Sequence, residues 1–217
     1  MSPTATNGTT TRTRDPDRTR AEILEVAVAE FARSGYAGAR VDEIARRTRT
    51  TKRMIYYYFG GKEGLYVAAL TSAYARIREH ELRLDLEDLD PLSALRRLTE
   101  MTFDYHHEHP EFVRLVQVEN IHGAEHLRRE VEAVQHTGRD GILAVIADVL
   151  ERGREAGVLR GDVTPVEVHT MMSALCFYPV GNRATVSVLF AYDMGEDGVS
   201  ARRRTLVADA MAGWLAA

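Results

Sequence analysis

The chain of 217 residues has a single cysteine, Cys176, so no disulfide can close within it and a cysteine-rich zinc site is excluded. No apolar run approaches the length needed to cross a bilayer. The first twenty residues, MSPTATNGTTTRTRDPDRTR, hold no apolar stretch ahead of a cleavage site. These absences lead us to expect a cytoplasmic protein with no membrane partner and no cofactor. Alternating apolar and polar residues of convincing length are also missing, which removes the usual signal for a sheet. Helical periodicity fills most of the chain, so the expected fold class is all-α. No internal repeat stands out.

What is present is unevenly distributed. Residues 1–62 carry 12 Lys+Arg against 7 Asp+Glu, whereas residues 63–217 carry 16 against 25. The basic quarter suits a polyanion and the acidic remainder does not, which points to a nucleic-acid-binding module joined to a different one. Residues 1–16, rich in Thr, Ser, Pro and Arg, are expected to be a flexible arm whose Arg12 and Arg14, with Arg18 and Arg20 beyond, could follow a minor groove. Residues 17–62 then form a small helical domain and residues 63–217 a larger one.

In the small domain Ile23, Val26, Ala27 and Phe31 recur at helical spacing before Ser34-Gly35 supplies a stop. VDEIARRT (41–48) reads as a short second helix. After the turn Arg49-Thr50, a third runs from Thr51, its expected N-cap, to Phe59, where Gly60-Gly61 ends it. Two short helices joined by a tight turn and braced by a preceding one form a helix-turn-helix, whose second helix can enter the major groove. Ile55, Tyr58 and Phe59 should pack beneath that helix, leaving Thr51, Lys52, Arg53, Tyr56 and Tyr57 outward. Cations there neutralise phosphates or bond guanine edges, and a tyrosine hydroxyl bonds phosphate. Lys62 opens the next helix, where free backbone N–H groups and an ammonium can hold one phosphate more.

The order Phe31, Gly35, Tyr36, Ile44, Ala45, Tyr56, Phe59, Lys62, Glu63, Leu65 resembles, in identity and spacing, the N-terminal domain of TetR-family transcriptional regulators over about residues 18–70. Two positions depart from the family pattern. Arg40 stands where a Ser or Thr usually precedes the second helix, and Arg49 where the turn usually has Gly. An arginine cannot cap through a side-chain oxygen, and it strains a backbone that requires positive φ. Both are assigned to phosphate instead. The resemblance implies a homodimeric repressor of a double-stranded operator, released when a small-molecule effector binds the C-terminal domain.

Beyond residue 90, Pro91, Pro110 and Pro165 each open a helix. A long segment spans about 124–156 until GREAGVLRGD breaks it, and a last helix begins near residue 199. Val168, Met171, Met172, Leu175, Val207, Met211 and Trp214 form the expected dimer surface. Glu119, Asn120 and His122, with Asn182 and Arg183, resemble Glu-Asn-x-His and Asn-Arg-x-Thr segments of one subgroup of the family and are candidate effector ligands. Phe103, Tyr105, Phe112, Met172, Phe177 and Tyr178 would line the adjoining apolar cavity.

Two rival readings remain. Glu119, His122 and His126 can share a helical face as the zinc ligands of a hydrolytic enzyme. A helical adaptor whose basic domain binds a protein is the other.

Overall fold

The structure, a computed structural model, describes residues 15–130 and 141–217. Among the described residues the chain is helical throughout: α1 (Pro16–Gly38), α2 (Val41–Arg47), α3 (Lys52–Phe59), α4 (Lys62–Leu82), α5 (Pro91–Glu108), α6 (Pro110–Ile121), α7 (Leu143–Glu155), α8 (Pro165–Gly181), α9 (Arg183–Phe190) and α10 (Asp197–Leu215). One 3-10 turn lies at Leu127–Glu130. The β pairing is confined to an isolated bridge between Leu159 and Ala216.

Local chemistry accounts for most boundaries. Asp15, Asp90 and Thr164 each accept a backbone N–H of the helix they precede, and a proline follows each one at N1 or N2, where its missing N–H costs nothing. Thr164 and Glu167 complete a reciprocal capping box. Gly35 takes φ 67° near the end of α1, so the expected stop becomes a kink followed by one more turn.

A first core joins Ile23, Phe31, Ile44 and Ile55 of α1–α3 to Leu65, Tyr66 and Leu70 of α4 and to Phe112, Val113 and Leu115 of α6. No packing break therefore falls at residue 62: α4 belongs to both halves. A second core gathers Leu95, Leu98 and Phe103 of α5, Ile146 and Leu150 of α7, Val168, Met172 and Cys176 of α8, and Met211 and Leu215 of α10. Arg204 fastens α10 to α5 through Asp104 at 2.8 Å and Glu100 at 3.2 Å.

Several expectations are corrected here. Val168, Met172 and Met211, expected on the dimer surface, are buried in the second core, because a helix packed between neighbours spends its apolar stripe within the chain. Arg18 and Arg20, expected to follow a minor groove, lie on α1, where Arg18 pairs with Glu22 and Arg20 covers the Phe59 ring. Residues 1–14, with Arg12 and Arg14, lie outside the described residues. Of the long segment expected over about 124–156, residues 131–140 lie outside the described residues and Leu143–Glu155 forms α7, while Gly123 (φ 66°) with Ala124 (φ 58°) reverses the chain at its start.

Candidate nucleic-acid interface and effector region

α3 owes its presentation to the residues beneath it. Ile55 is fully buried and Phe59 nearly so, which turns the opposite side to solvent: Tyr56 is 46% exposed and Tyr57 79%. Thr51, Lys52 and Arg53 are exposed on its first turn. The Thr51 hydroxyl oxygen accepts from the Met54 N–H at 3.2 Å, as its N-cap position requires. Lys52 reaches Asp42 of α2 at 3.2 Å, while Arg53 has no ion pair among the described residues. An unneutralised guanidinium on the first turn of the second helix is the geometry that reads base edges.

Arg40 occupies the N-cap of α2 and supplies no side-chain cap. Arg49 sits in the turn at φ 52°, the left-handed conformation that favours glycine. Replacing it with glycine should raise folding stability by about 1 kcal/mol, read by urea denaturation. Lys62 has a role within the protein: its ammonium donates to the Ala37 carbonyl at 3.1 Å and lies 5.0 Å from the Tyr36 ring centroid. It joins the end of α1 to the start of α4, close to the position where a phosphate was expected.

The expected effector residues do not converge. Asn120 is exposed and bonds back to the Val116 carbonyl at 2.9 Å, and His122 is exposed after the end of α6. Their neighbour Glu119 points the other way and is buried. Its Oε1 accepts the backbone N–H of His126 at 2.8 Å and of Leu127 at 3.0 Å, and its Oε2 faces His126 Nδ1 at 3.1 Å. The His126 ring rests against Tyr36 (4.5 Å between centroids) and Tyr66 (4.7 Å). Glu119 and His126 thus meet through a chain reversal, whereas a shared helical face was expected. His122 takes no part, so the zinc triad does not assemble. Among the described residues no group of three His, Cys, Asp or Glu is placed to hold a metal ion.

Arg183 is locked to Asp193 at 2.6 and 2.9 Å, at the rim of a cavity of about 400 Å³ lined by His107, Arg114, Gln117 and Ser187 among others. Asn182 forms the junction between α8 and α9, and Tyr178 is half exposed. Phe103 and Met172 lie in the second core, while Tyr105, Phe112 and Phe177 pack on the first. His106, which the sequence suggests is solvated or helix-capping, is neither. It is buried, stacked on Phe112 and edge-on to Phe177, and burial holds its imidazole down to about 4. The signal for it was weak, since it stands among the close-set histidines His106, His107 and His109.

Similarity to known proteins agrees with this geometry. Residues 23–69 match the bacterial regulatory proteins of the tetR family, and residues 91–211 match the tetracyclin repressor-like C-terminal domain. The HTH-type transcriptional repressor NicS of Pseudomonas putida is 34% identical over 204 residues, covering 94% of this chain and 95% of that protein. The HTH-type transcriptional repressor SCO4008 of Streptomyces coelicolor is 33% identical over 86% of this chain and 91% of its own length. A crystal structure of the transcriptional regulator SCO4942 from the same species superposes with a TM-score of 0.68 at 27% identity, covering 91% of this chain and 98% of that one. On these grounds the chain belongs to the TetR family of DNA-binding transcriptional regulators.

Proposed function

We propose that this protein is a repressor that holds a palindromic operator as a homodimer and releases it when a small molecule occupies the C-terminal half. The observation that carries this reading is the face of α3: Arg53 and two tyrosines exposed together on one side, with Ile55 and Phe59 buried on the other. The names of NicS and SCO4008 as repressors support the direction of control.

Arg53 is assigned to a base edge, and Thr51, Lys52, Tyr56, Tyr57, Arg40, Arg49 and Lys62 to the sugar-phosphate backbone. The dimer seam is assigned to the exposed stripes of α8, through Met171, Ala174 and Tyr178, and of α10, through Leu206 and Ala210. Control follows by linkage: an effector weakens operator binding only as far as it prefers the arrangement in which the two α3 helices no longer fit the operator. The α1–α4–α6 core, with His126 against Tyr36 and Tyr66, offers the mechanical path between the halves.

Selection of bound fragments from random and genomic DNA by the purified protein, repeated with a metabolite panel, tests the reading. An inverted repeat should be recovered, and affinity for it should fall steeply with salt, by a slope of about 0.9 per phosphate neutralised. Arg53→Ala should flatten discrimination at particular base pairs by about 1 to 3 kcal/mol, whereas Tyr56→Phe should weaken all sequences alike. No enrichment even at low salt would sink the reading. Unchanged sequence preference in Arg53→Ala would sink only that assignment. Arg49→Gly separates fold from function, since the substitution that relieves the turn should weaken binding to every sequence.

A further inference from the structure

Buried polar atoms in a folded chain are almost always paired, because an unpaired one forfeits its hydration without recompense. Here three such atoms without a hydrogen-bond partner belong to residues that share Arg78 as a charged neighbour: Glu81 Oε1 on α4, His106 Nδ1 on α5 and His169 Nδ1 on α8. Glu81 and His106 are 2% and 3% exposed. Arg78, one turn before Glu81, is ion-paired with that carboxylate, and its charge presses on both imidazoles. The aromatic rings of Phe112 and Phe177 flank His106 at 5.6 and 5.9 Å between centroids.

The protonation state of this group narrows what could complete it. The Cys176 backbone favours a proton on the His106 ring, and Nδ1 is the atom left without a partner, so we assign Nδ1 the lone pair, which needs a donor. Burial depresses His106 and His169 to about 4, which leaves both rings neutral at pH 7. The same burial lifts Glu81 to about 7, so its carboxyl can donate or accept. Arg78 already has its counter-ion, so an anionic ligand would have to displace Glu81 from it.

We propose that Arg78, Glu81, His106 and His169, with Phe112 and Phe177 as apolar walls, form the effector site, and that its ligand is a small, uncharged, flat molecule carrying an N–H or O–H donor for His106 Nδ1. This rests on the ligand-responsive reading above and names the chemical class of its ligand. The ligand supplies the partners that the side chains lack, and it binds where α4, α5 and α8 meet. α4 carries Tyr66 and Leu65 into the core beneath α3, so occupancy at Glu81 is felt along the same helix.

Three probes of one shape decide the matter on the full-length protein: benzamide, uncharged with an N–H donor; benzoate, anionic without one; and toluene, apolar. Benzamide should raise the melting temperature by about 3 to 5 °C at ten times its dissociation constant, and the other two should not. His106→Phe, which keeps the ring stacked on Phe112, should abolish the rise. In the wild-type protein the imidazole ¹⁵N signal of His106 Nδ1 should move on adding benzamide, which reads the contact even where the variant folds poorly. An equal or larger response to benzoate or toluene, or no response to benzamide at its solubility limit, overturns the proposal. Operator binding is scored separately: a benzamide response without DNA binding would leave the site standing and remove the repressor reading, and DNA binding without a benzamide response does the reverse.

Discussion

Glu119→Ala should cost about 3 to 5 kcal/mol of folding stability, since each buried polar group left without its partner costs about 1 to 3 kcal/mol. The carboxylate is 1% exposed and holds three groups at once. Truncation leaves two backbone N–H groups and one imidazole without an acceptor, and it opens a void beneath Tyr36 and Tyr66. For a chain of this size the loss corresponds to a fall of about 10 °C in melting temperature. Glu119→Gln, which retains an acceptor oxygen, should lose about half as much. His126→Phe should lose least, since the ring contacts and both backbone bonds persist. The three variants therefore rank by how many donors they strand, and calorimetry reads the order. A loss under about 1 kcal/mol in Glu119→Ala would show that the reversal at Gly123–Ala124 holds itself. Because His126 rests against Tyr36 at the end of α1, operator affinity should drop in parallel.

The helix-turn-helix was legible because its determinants are local. Ile44, Ala45, Ile55 and Phe59 declare their faces by spacing, Thr51 caps by chemistry, and Gly60-Gly61 stops the helix because few other residues take φ 75° and 141° in succession. The same local logic anticipated the strain at Arg49. The prolines at 91, 110 and 165 marked their helices for the same reason.

The C-terminal half was less legible because its determinants are long-range. Periodicity shows that Val168, Met172 and Met211 face something apolar, but it cannot distinguish the chain's own α5 and α7 from a second copy. Glu119 and Asn120 are adjacent, yet one is buried and the other exposed, and only the placement of α6 against α1 decides which. His126 was grouped with Glu119 correctly as a neighbour but by the wrong geometry. Two residues at positive φ, one of them an alanine, turn the chain where a continuous helix was expected. α9 went unnoticed because Val188, Leu189 and Phe190 are all exposed, so no apolar-polar period marks it.

Gly64→Ala should damage both fold and function from a single methyl group. Gly64 lies in the first turn of α4, and a Cβ built there would stand 1.9 Å from the Phe59 carbonyl oxygen and 3.1 Å from its carbon. The obstacle is backbone, so no rotamer change can relieve it, and α3 must move away from α4. Overpacking of this kind costs about 1 to 3 kcal/mol, and the displaced element is the one that carries Arg53, Tyr56 and Tyr57. Operator affinity should therefore fall at temperatures where the protein remains folded. Gly198→Ala is the matched control: it also lies within a helix, α10, but its Cβ would meet nothing within 4 Å. That substitution should stabilise by about 0.5 to 1 kcal/mol and leave DNA binding unchanged. Denaturation and fluorescence anisotropy on the pair separate a steric wedge from a general intolerance of alanine. If Gly64→Ala kept full affinity and full stability, the close approach of α3 to α4 would not be what sets the pose of the recognition helix.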